Sequence, residues 1–218
     1  MDKQQKLGLI KQIKEHLKFK IENFIKTNHL INNPKIILIG DSMIEYLDIS
    51  KYLFNHQSIL NHGISGLTSK ELYNNLDSIL NDLKISQIFL SIGANDKIVD
   101  NIEIDNTLYY IELILKELNN KYPNINKTFI SLTPIIAKDN KLYNTPYLFG
   151  RIKEEIIYLN KKIKAISNLN NFNYINVYDS LLDKNKNLNI NYTTDGIHLN
   201  DQGYQIYSKM INKNIKRR

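Results

Sequence analysis

The sequence predicts an α/β protein, a three-layer α/β/α sandwich built on an open, five-stranded parallel sheet. Five short runs of residues are apolar on both faces, as strands covered by helices on each side are. Between those runs the apolar residues recur at three- and four-residue steps, which is typical of amphipathic helices. Because strands and helices alternate along the chain, the strands can lie parallel in one sheet between two layers of helices.

The five predicted strands lack the alternation of apolar and polar residues that marks a half-exposed strand. In chain order they are KIILIG (35–40), QSILN (57–61), QIFLSIG (87–93), KTFISLT (127–133) and NYINVYD (173–179). An open parallel sheet of this kind is flavodoxin-like, and it binds ligands beyond the carboxyl ends of its strands.

An amphipathic helix is predicted from Gln4 to about Lys26, and the NNP at 32–34 ends it before the first strand. Its apolar stripe indicates packing on the domain core, although a basic helix of this kind can also lie on a membrane surface. Four more helices are predicted. The first opens at the capping pair Thr68 and Glu71, the second and third cover 108–118 and 152–166, and the last follows Asp201.

The composition indicates an ordinary globular protein. With 218 residues, 42% of them apolar, we expect a single domain over 1–218, with residues 1–33 as an N-terminal amphipathic helix packed on it. The absence of cysteine excludes disulfides, thiolate metal sites and a cysteine nucleophile. The N-terminus lacks a secretory signal and no stretch approaches the roughly 20 apolar residues of a membrane span, so we expect a cytoplasmic protein without a transmembrane segment.

The net charge of +7 raises the question of an anionic partner. Of the 29 basic residues only Arg151, Arg217 and Arg218 are arginine, whereas proteins that read phosphates and bases rely on the bidentate arginine fork. We therefore expect no nucleic-acid partner.

Small and polar residues cluster where three predicted strands end. They are Gly40-Asp41-Ser42, the loop Asn61 to Gly66, and Gly93-Ala94-Asn95-Asp96. Turns and helix caps explain each cluster taken alone. Near the C-terminus, however, Asp195 and His198 stand three residues apart, so one turn can place the carboxylate against the imidazole. An imidazole oriented in this way is the general base that a serine nucleophile needs.

These motifs, GDS, a glycine in a GxSG-type loop, GxND and DGxHL followed by Gly203-Tyr204, occur in the order of the four sequence blocks of the SGNH hydrolases. The chain resembles that family, also called GDSL lipases or acylhydrolases, from about Lys35 to the C-terminus. Within it, the chain is most similar to small bacterial acylhydrolases related to the catalytic subunits of platelet-activating-factor acetylhydrolase.

The resemblance implies a catalytic role for three residues, with Ser42 as nucleophile, His198 as base and Asp195 orienting that base. It also implies an oxyanion hole made by the backbone N–H groups of Ser42 and Gly66 and the side-chain amide of Asn95. Asp41 and Asp96 are interpreted as supporting or turn residues. We expect the substrate pocket to include Met43, which follows the serine, and Tyr143 and Tyr147 from the irregular stretch 134–150.

We expect an esterase or acylhydrolase that acts through an acyl-serine intermediate on a small-molecule ester, favouring short acyl or acetyl groups because no lid domain is evident. Lysophospholipase or thioesterase activity at the same site is an alternative. The other histidines show no ligand spacing, so we expect no metal and no cofactor.

Two rival functions come from other classes. A nucleotide-binding module is disfavoured because the first loop, GDSMIE, lacks the spaced glycines of a phosphate-binding loop. A non-catalytic scaffold protein of the same fold stays open. The apolar face of the N-terminal helix is also compatible with a homodimer.

Overall fold

The computed structural model describes residues 3–216, so the predicted tail residues Arg217 and Arg218 lie outside the described residues. Five parallel strands form one sheet in the order β2-β1-β3-β4-β5. The strands are β1 (Lys35–Gly40), β2 (Ile59–Gly63), β3 (Ile85–Ser91), β4 (Asn126–Ile130) and β5 (Asn173–Ile175). The chain leaves β1 for β2 on one side and returns to β3 on the other, so the strand order reverses beside β1. In such sheets the reversal point is where ligands bind.

The sheet is flanked by helices, as the sequence predicts. The helices are α1 (Lys3–Asn28), α2 (Ser42–Glu45), α3 (Ile49–Tyr52), α4 (Ser69–Leu80), α5 (Asp96–Val99), α6 (Ile104–Lys121), α7 (Lys153–Leu169) and α8 (Asp201–Asn212). Helix α6 packs between α4 and α7, while α8 contacts α3. The α/β/α prediction is confirmed.

The predicted capping pair opens α4 as expected, because Thr68 Oγ1 accepts a hydrogen bond from the Glu71 N–H at 3.2 Å. Strand limits differ more. The second strand begins two residues later than predicted, because His56–Ser58 forms a 3₁₀ turn. The last strand ends at Ile175, since the N–H groups of Val177 and Tyr178 donate to Ser131 Oγ instead of continuing the ladder.

Helix α1 packs against α4 through one apolar face, on which Leu17 and Phe24 are buried. The rings of Phe24 and His62 pack in a T-shaped arrangement, with ring centroids 4.1 Å apart. At the end of the helix, Asn28 Nδ2 donates to the Ile79 carbonyl at 3.0 Å.

The single-domain assignment of the whole chain stays a prediction. Of the helices in residues 3–216, none combines the length and apolarity that crossing a bilayer requires.

Candidate active site

Ser42 is the first residue of α2, directly beyond the end of β1. Asp41 caps this short helix, and its Oδ1 accepts a hydrogen bond from the Met43 N–H at 3.0 Å. Burial raises the pKa of Asp41, and the Met43 N–H and the charge of Arg151 act in the opposite direction. The interpretation of Asp41 as a turn residue therefore agrees with its contacts, and the cap fixes where the serine stands.

Ser42, His198 and Asp195 form a hydrogen-bonded chain. His198 Nε2 lies 3.1 Å from Ser42 Oγ, and His198 Nδ1 lies 2.6 Å from Asp195 Oδ2. If Nδ1–H donates to the carboxylate, Nε2 presents a lone pair to the serine hydroxyl. The arrangement can move a proton from the hydroxyl to the imidazole.

The turn that carries Asp195 and His198 is closed by its own hydrogen bonds. Asp195 Oδ1 accepts from the N–H groups of Ile197 at 3.1 Å and His198 at 2.8 Å. Thr193 Oγ1 donates to the His198 carbonyl at 2.7 Å. Partial burial raises the pKa of Asp195, but the hydrogen bonds from His198 outweigh it, and the pKa lies below its ordinary value. Asp195 is therefore a carboxylate at neutral pH and can stabilise a protonated imidazole.

Gly66 and Asn95 line the same cavity of about 310 Å³ as Ser42 and His198. Gly66 adopts a φ of +77°, which only glycine reaches without strain. Asn95 Nδ2 donates to the Leu67 carbonyl at 3.2 Å. An amide nitrogen carries two hydrogens, so a second donor is available to a ligand in the cavity.

Asp96, which follows Asn95, is buried and accepts hydrogen bonds from the N–H and the hydroxyl of Ser69. Burial raises its pKa to about 6, while the bonds from Ser69 act in the opposite direction. These contacts tie the start of α5 to the start of α4 and agree with a supporting role.

Arg151 is a site residue that the sequence analysis missed. Its Nη2 donates to Asn95 Oδ1 at 2.7 Å, its Nη1 to the Ala94 carbonyl, and its Nε to the Tyr147 carbonyl at 2.8 Å. Burial lowers its pKa to about 10, and the charges of Asp41 and Asp195 favour its charged form. One feature of the sequence could have pointed to Arg151: it is the only arginine before Arg217 and Arg218 in a lysine-rich chain.

The three expected pocket residues have different places. Tyr147 lines the cavity, and its ring centroid lies 5.2 Å from that of His198. Met43 does not line it: its side chain packs in the core, is 6% exposed, and lines a small cavity of about 20 Å³ with Ser42 and Asn95. Tyr143 lines a neighbouring groove, because its 3₁₀ turn directs the hydroxyl to the Arg151 carbonyl, 3.3 Å away. Tyr46, which was not predicted, also contacts His198, with 5.3 Å between ring centroids.

Glu45, the last residue of α2, joins three parts of the site. Its carboxylate lies 2.9 Å from His16 Nε2 and 3.1 Å from Lys20 Nζ, both on α1. It also accepts a hydrogen bond from the Ser65 N–H at 2.6 Å. Burial acts to raise the pKa of Glu45, but the hydrogen bonds from Ser65 and His16 outweigh burial, so the pKa lies below its ordinary value. The Glu45 carboxylate thus fixes both α1 and the loop before Gly66 to α2, the short helix that begins at Ser42.

No group of three or more histidine, aspartate or glutamate side chains suited to a metal ion occurs within residues 3–216.

Comparison with known proteins bears on the same residues. A family model described as GDSL-like Lipase/Acylhydrolase matches residues 39–206, which include Ser42, Gly66, Asn95, Asp195 and His198. Among solved structures, one from Streptococcus pneumonia, described under the name platelet activating factor, is 26% identical with a TM-score of 0.88, and the alignment covers 98% of this chain and 99% of that one.

A GDSL-like lipase from Bacteroides thetaiotaomicron VPI-5482 is 21% identical with a TM-score of 0.76, over 89% of this chain and 96% of that one, and shows the shared fold. A curated relative, the N-acylneuraminate cytidylyltransferase of Escherichia coli O18:K1:H7, is 28% identical over 197 residues. The match takes in 88% of this chain but spans only 42% of the relative's length.

Proposed function

Because the chain belongs to the GDSL-like lipase/acylhydrolase family of ester hydrolases, we propose that it cleaves a carboxylic ester through an acyl-serine intermediate on Ser42. The observation that carries the proposal is the 3.1 Å approach of His198 Nε2 to Ser42 Oγ, with Nδ1 held by Asp195. This is the geometry of an activated serine nucleophile.

In the first step Ser42 Oγ attacks the ester carbonyl carbon while its proton passes to His198 Nε2. The carbonyl oxygen becomes an oxyanion that can accept hydrogen bonds from the N–H groups of Ser42 and Gly66 and from Asn95 Nδ2. Asp195 stabilises the imidazolium formed on His198. The bond between the carbonyl carbon and the leaving oxygen then breaks, and the alcohol departs with the proton from Nε2.

In the second step water attacks the acyl-serine while His198 accepts one of its protons. The bond between the acyl carbon and Ser42 Oγ breaks, Oγ regains the proton from Nε2, and the carboxylic acid leaves. No redox partner is required, because the reaction consumes only the ester and water.

The substrate that we favour is a small ester with a short acyl or acetyl group. The cavity of about 310 Å³ is at the lower end of the roughly 300–1,000 Å³ range of ligand pockets. A thioester or a lysophospholipid presents the same reacting carbonyl, so these substrates are alternatives for the same residues.

The proposal is tested by assaying chromogenic esters with acyl chains of increasing length. Ser42→Ala and His198→Ala should each lower kcat by about 10⁴-fold or more, since nucleophile and base act as one unit. Matched controls are Ser58→Ala and His56→Ala, which change exposed residues. Near wild-type activity in either site variant would overturn the assignment. A fluorophosphonate probe that fails to label Ser42 would favour the scaffold alternative.

A further inference from the structure

One face of α1 forms a wall of the cavity that contains Ser42. Leu9, Gln12, Ile13 and His16 all line this cavity. Their positions follow the i, i+3, i+4, i+7 pattern of a single helical face. Ile13 lies directly over Gly66, where an added Cβ would come within 2.6 Å of Ile13 Cγ2. The N-terminal helix therefore contacts the loop that is proposed to bind the oxyanion.

Ion pairs on both sides of Ile13 hold this face in place. Lys14 Nζ lies 2.5 Å from Glu71 on α4 and 2.7 Å from Asp100, which follows α5. On the other side, His16 and Lys20 contact Glu45 on α2. The helix is thus attached to three elements that line the site or adjoin it, so its side chains have a defined position relative to Ser42.

The chemistry of the reaction assigns the two ends of the cavity. His198 must protonate the leaving oxygen, so the alcohol lies beside the imidazole, where Tyr46 and Tyr147 contact the ring. The acyl group then extends away from His198. Apart from Pro146, the apolar part of the lining that remains for it comes from α1 and α5, namely Leu9, Ile13, Ile98 and Val99.

A second groove, of about 700 Å³, lies beyond this wall, between α1 and the loop around Tyr143 and Phe149. Leu9, Gln12, Pro146 and Tyr147 line both the cavity and this groove, so they form the partition between them. The family match begins at residue 39, whereas α1 ends at Asn28. Half of the partition is therefore supplied from outside the matched region.

We propose that α1 determines the acyl-chain specificity of this enzyme, an inference that rests on the proposed function. Ile13 closes the acyl subsite above Gly66, and Leu9 separates it from the outer groove. With both side chains present the subsite takes short acyl groups. Shortening either one gives longer chains room to extend past the helix.

The test compares kcat/KM for p-nitrophenyl esters of two, four, eight and twelve carbons in Ile13→Ala, Leu9→Ala and the wild type. The ratio of kcat/KM for the eight-carbon ester to that for the two-carbon ester should rise about tenfold in each variant, mainly through KM. Ile25→Ala is the matched control, because Ile25 is on the same helix and is 45% exposed. It should keep the wild-type ratio.

The outcomes separate this inference from the function on which it rests. A wild-type protein that hydrolyses no ester, or whose activity survives Ser42→Ala, contradicts the proposed function itself. If activity depends on Ser42 but both wall variants keep the wild-type ratio, the inference about α1 is wrong and the function stands. A general loss of packing would lower activity on all esters alike and leave the ratio unchanged, which counts against the inference. Should Ile13→Ala not fold, Leu9→Ala decides, since Leu9 is only partly buried.

Discussion

Arg151 Nη2 donates a hydrogen bond to Asn95 Oδ1 over 2.7 Å, and this bond fixes the direction of the Asn95 amide. A guanidinium group can only donate, so the amide oxygen faces Arg151 and the amide nitrogen faces Leu67 and the cavity. Asn95 is thereby held with its donor toward the place where an oxyanion would form. Arg151 is a positioning residue in the proposed mechanism.

Replacing Arg151 by glutamine should lower kcat by about 10–100-fold and change KM little, because the Asn95 amide becomes free to turn. Removing the amide with Asn95→Ala should lower kcat by about 10²–10³-fold. If Arg151 acts through Asn95, the double variant should be no slower than Asn95→Ala alone. Additive losses in steady-state kinetics would show that Arg151 acts independently of Asn95.

Asp195→Asn should lower kcat by roughly 10³–10⁴-fold with little change in folding. An amide at this position donates to His198 Nδ1, so Nε2 carries the hydrogen and cannot accept a proton from Ser42. Asp82→Asn is the control, since Asp82 is exposed and its φ of 58° suits asparagine. Steady-state kinetics and urea unfolding of both variants would separate a loss of catalysis from a loss of stability. An Asp195→Asn enzyme of nearly full activity would contradict the role of Asp195.

Gly66→Ala should destabilise the fold by about 1–3 kcal/mol and also reduce activity, because alanine is strained at a φ of +77° and its Cβ overlaps Ile13. Adding Ile13→Ala should relieve the overlap but not the backbone strain. The free energy of unfolding of the double variant should therefore exceed the value expected from adding the two single changes. Strict additivity would mean that Gly66 and Ile13 are not in contact.

His62 should make the protein less stable in mild acid. Burial lowers the pKa of His62 to about 4, and the charge of Lys20 acts in the same direction. In the unfolded chain a histidine has a pKa near 6.5, so between these values the unfolded state binds more protons than the folded state. Stability is therefore complete above about pH 6.5 and falls, by about 2–3 kcal/mol, as the pH decreases toward 4.

Urea unfolding of His62→Gln from pH 7.5 to 4.5 checks this prediction, and the variant should lose less stability over that interval than the wild type. The control His56→Gln changes an exposed histidine and should follow the wild type. Parallel pH profiles for wild type and His62→Gln would contradict the prediction.

The segments that form strands and the residues that lie at the strand ends could be predicted from the sequence, because both depend on local patterns. The apolar runs located all five strands, and the GDS and DGIHL motifs indicated Ser42, Asp195 and His198, which the structure brings together. The motifs carry this information because each lies directly at a strand end or a tight turn.

Contacts between distant segments could not be read in this way. Arg151 reaches Asn95 across 56 positions, and α1 reaches Gly66 from outside the recognisable motifs. An apolar helix face has the same pattern whether it covers a core or a substrate pocket, so the spacing of Leu9 and Ile13 could not distinguish these uses. The place of Met43 in the substrate pocket stays a prediction, because its largely buried side chain lines a small cavity beside Ser42 and Asn95 and not the larger one.

Helix α1 also bears on how the protein can be shortened for expression. A fragment beginning at Pro34 would retain every motif of the family but lose the segment carrying Leu17 and Phe24. The surface of α4 and the ring of His62, which that segment now covers, would then face water. Exposed apolar area of this kind promotes aggregation. Fragments of this enzyme should therefore keep the first 28 residues even when only the catalytic motifs are of interest.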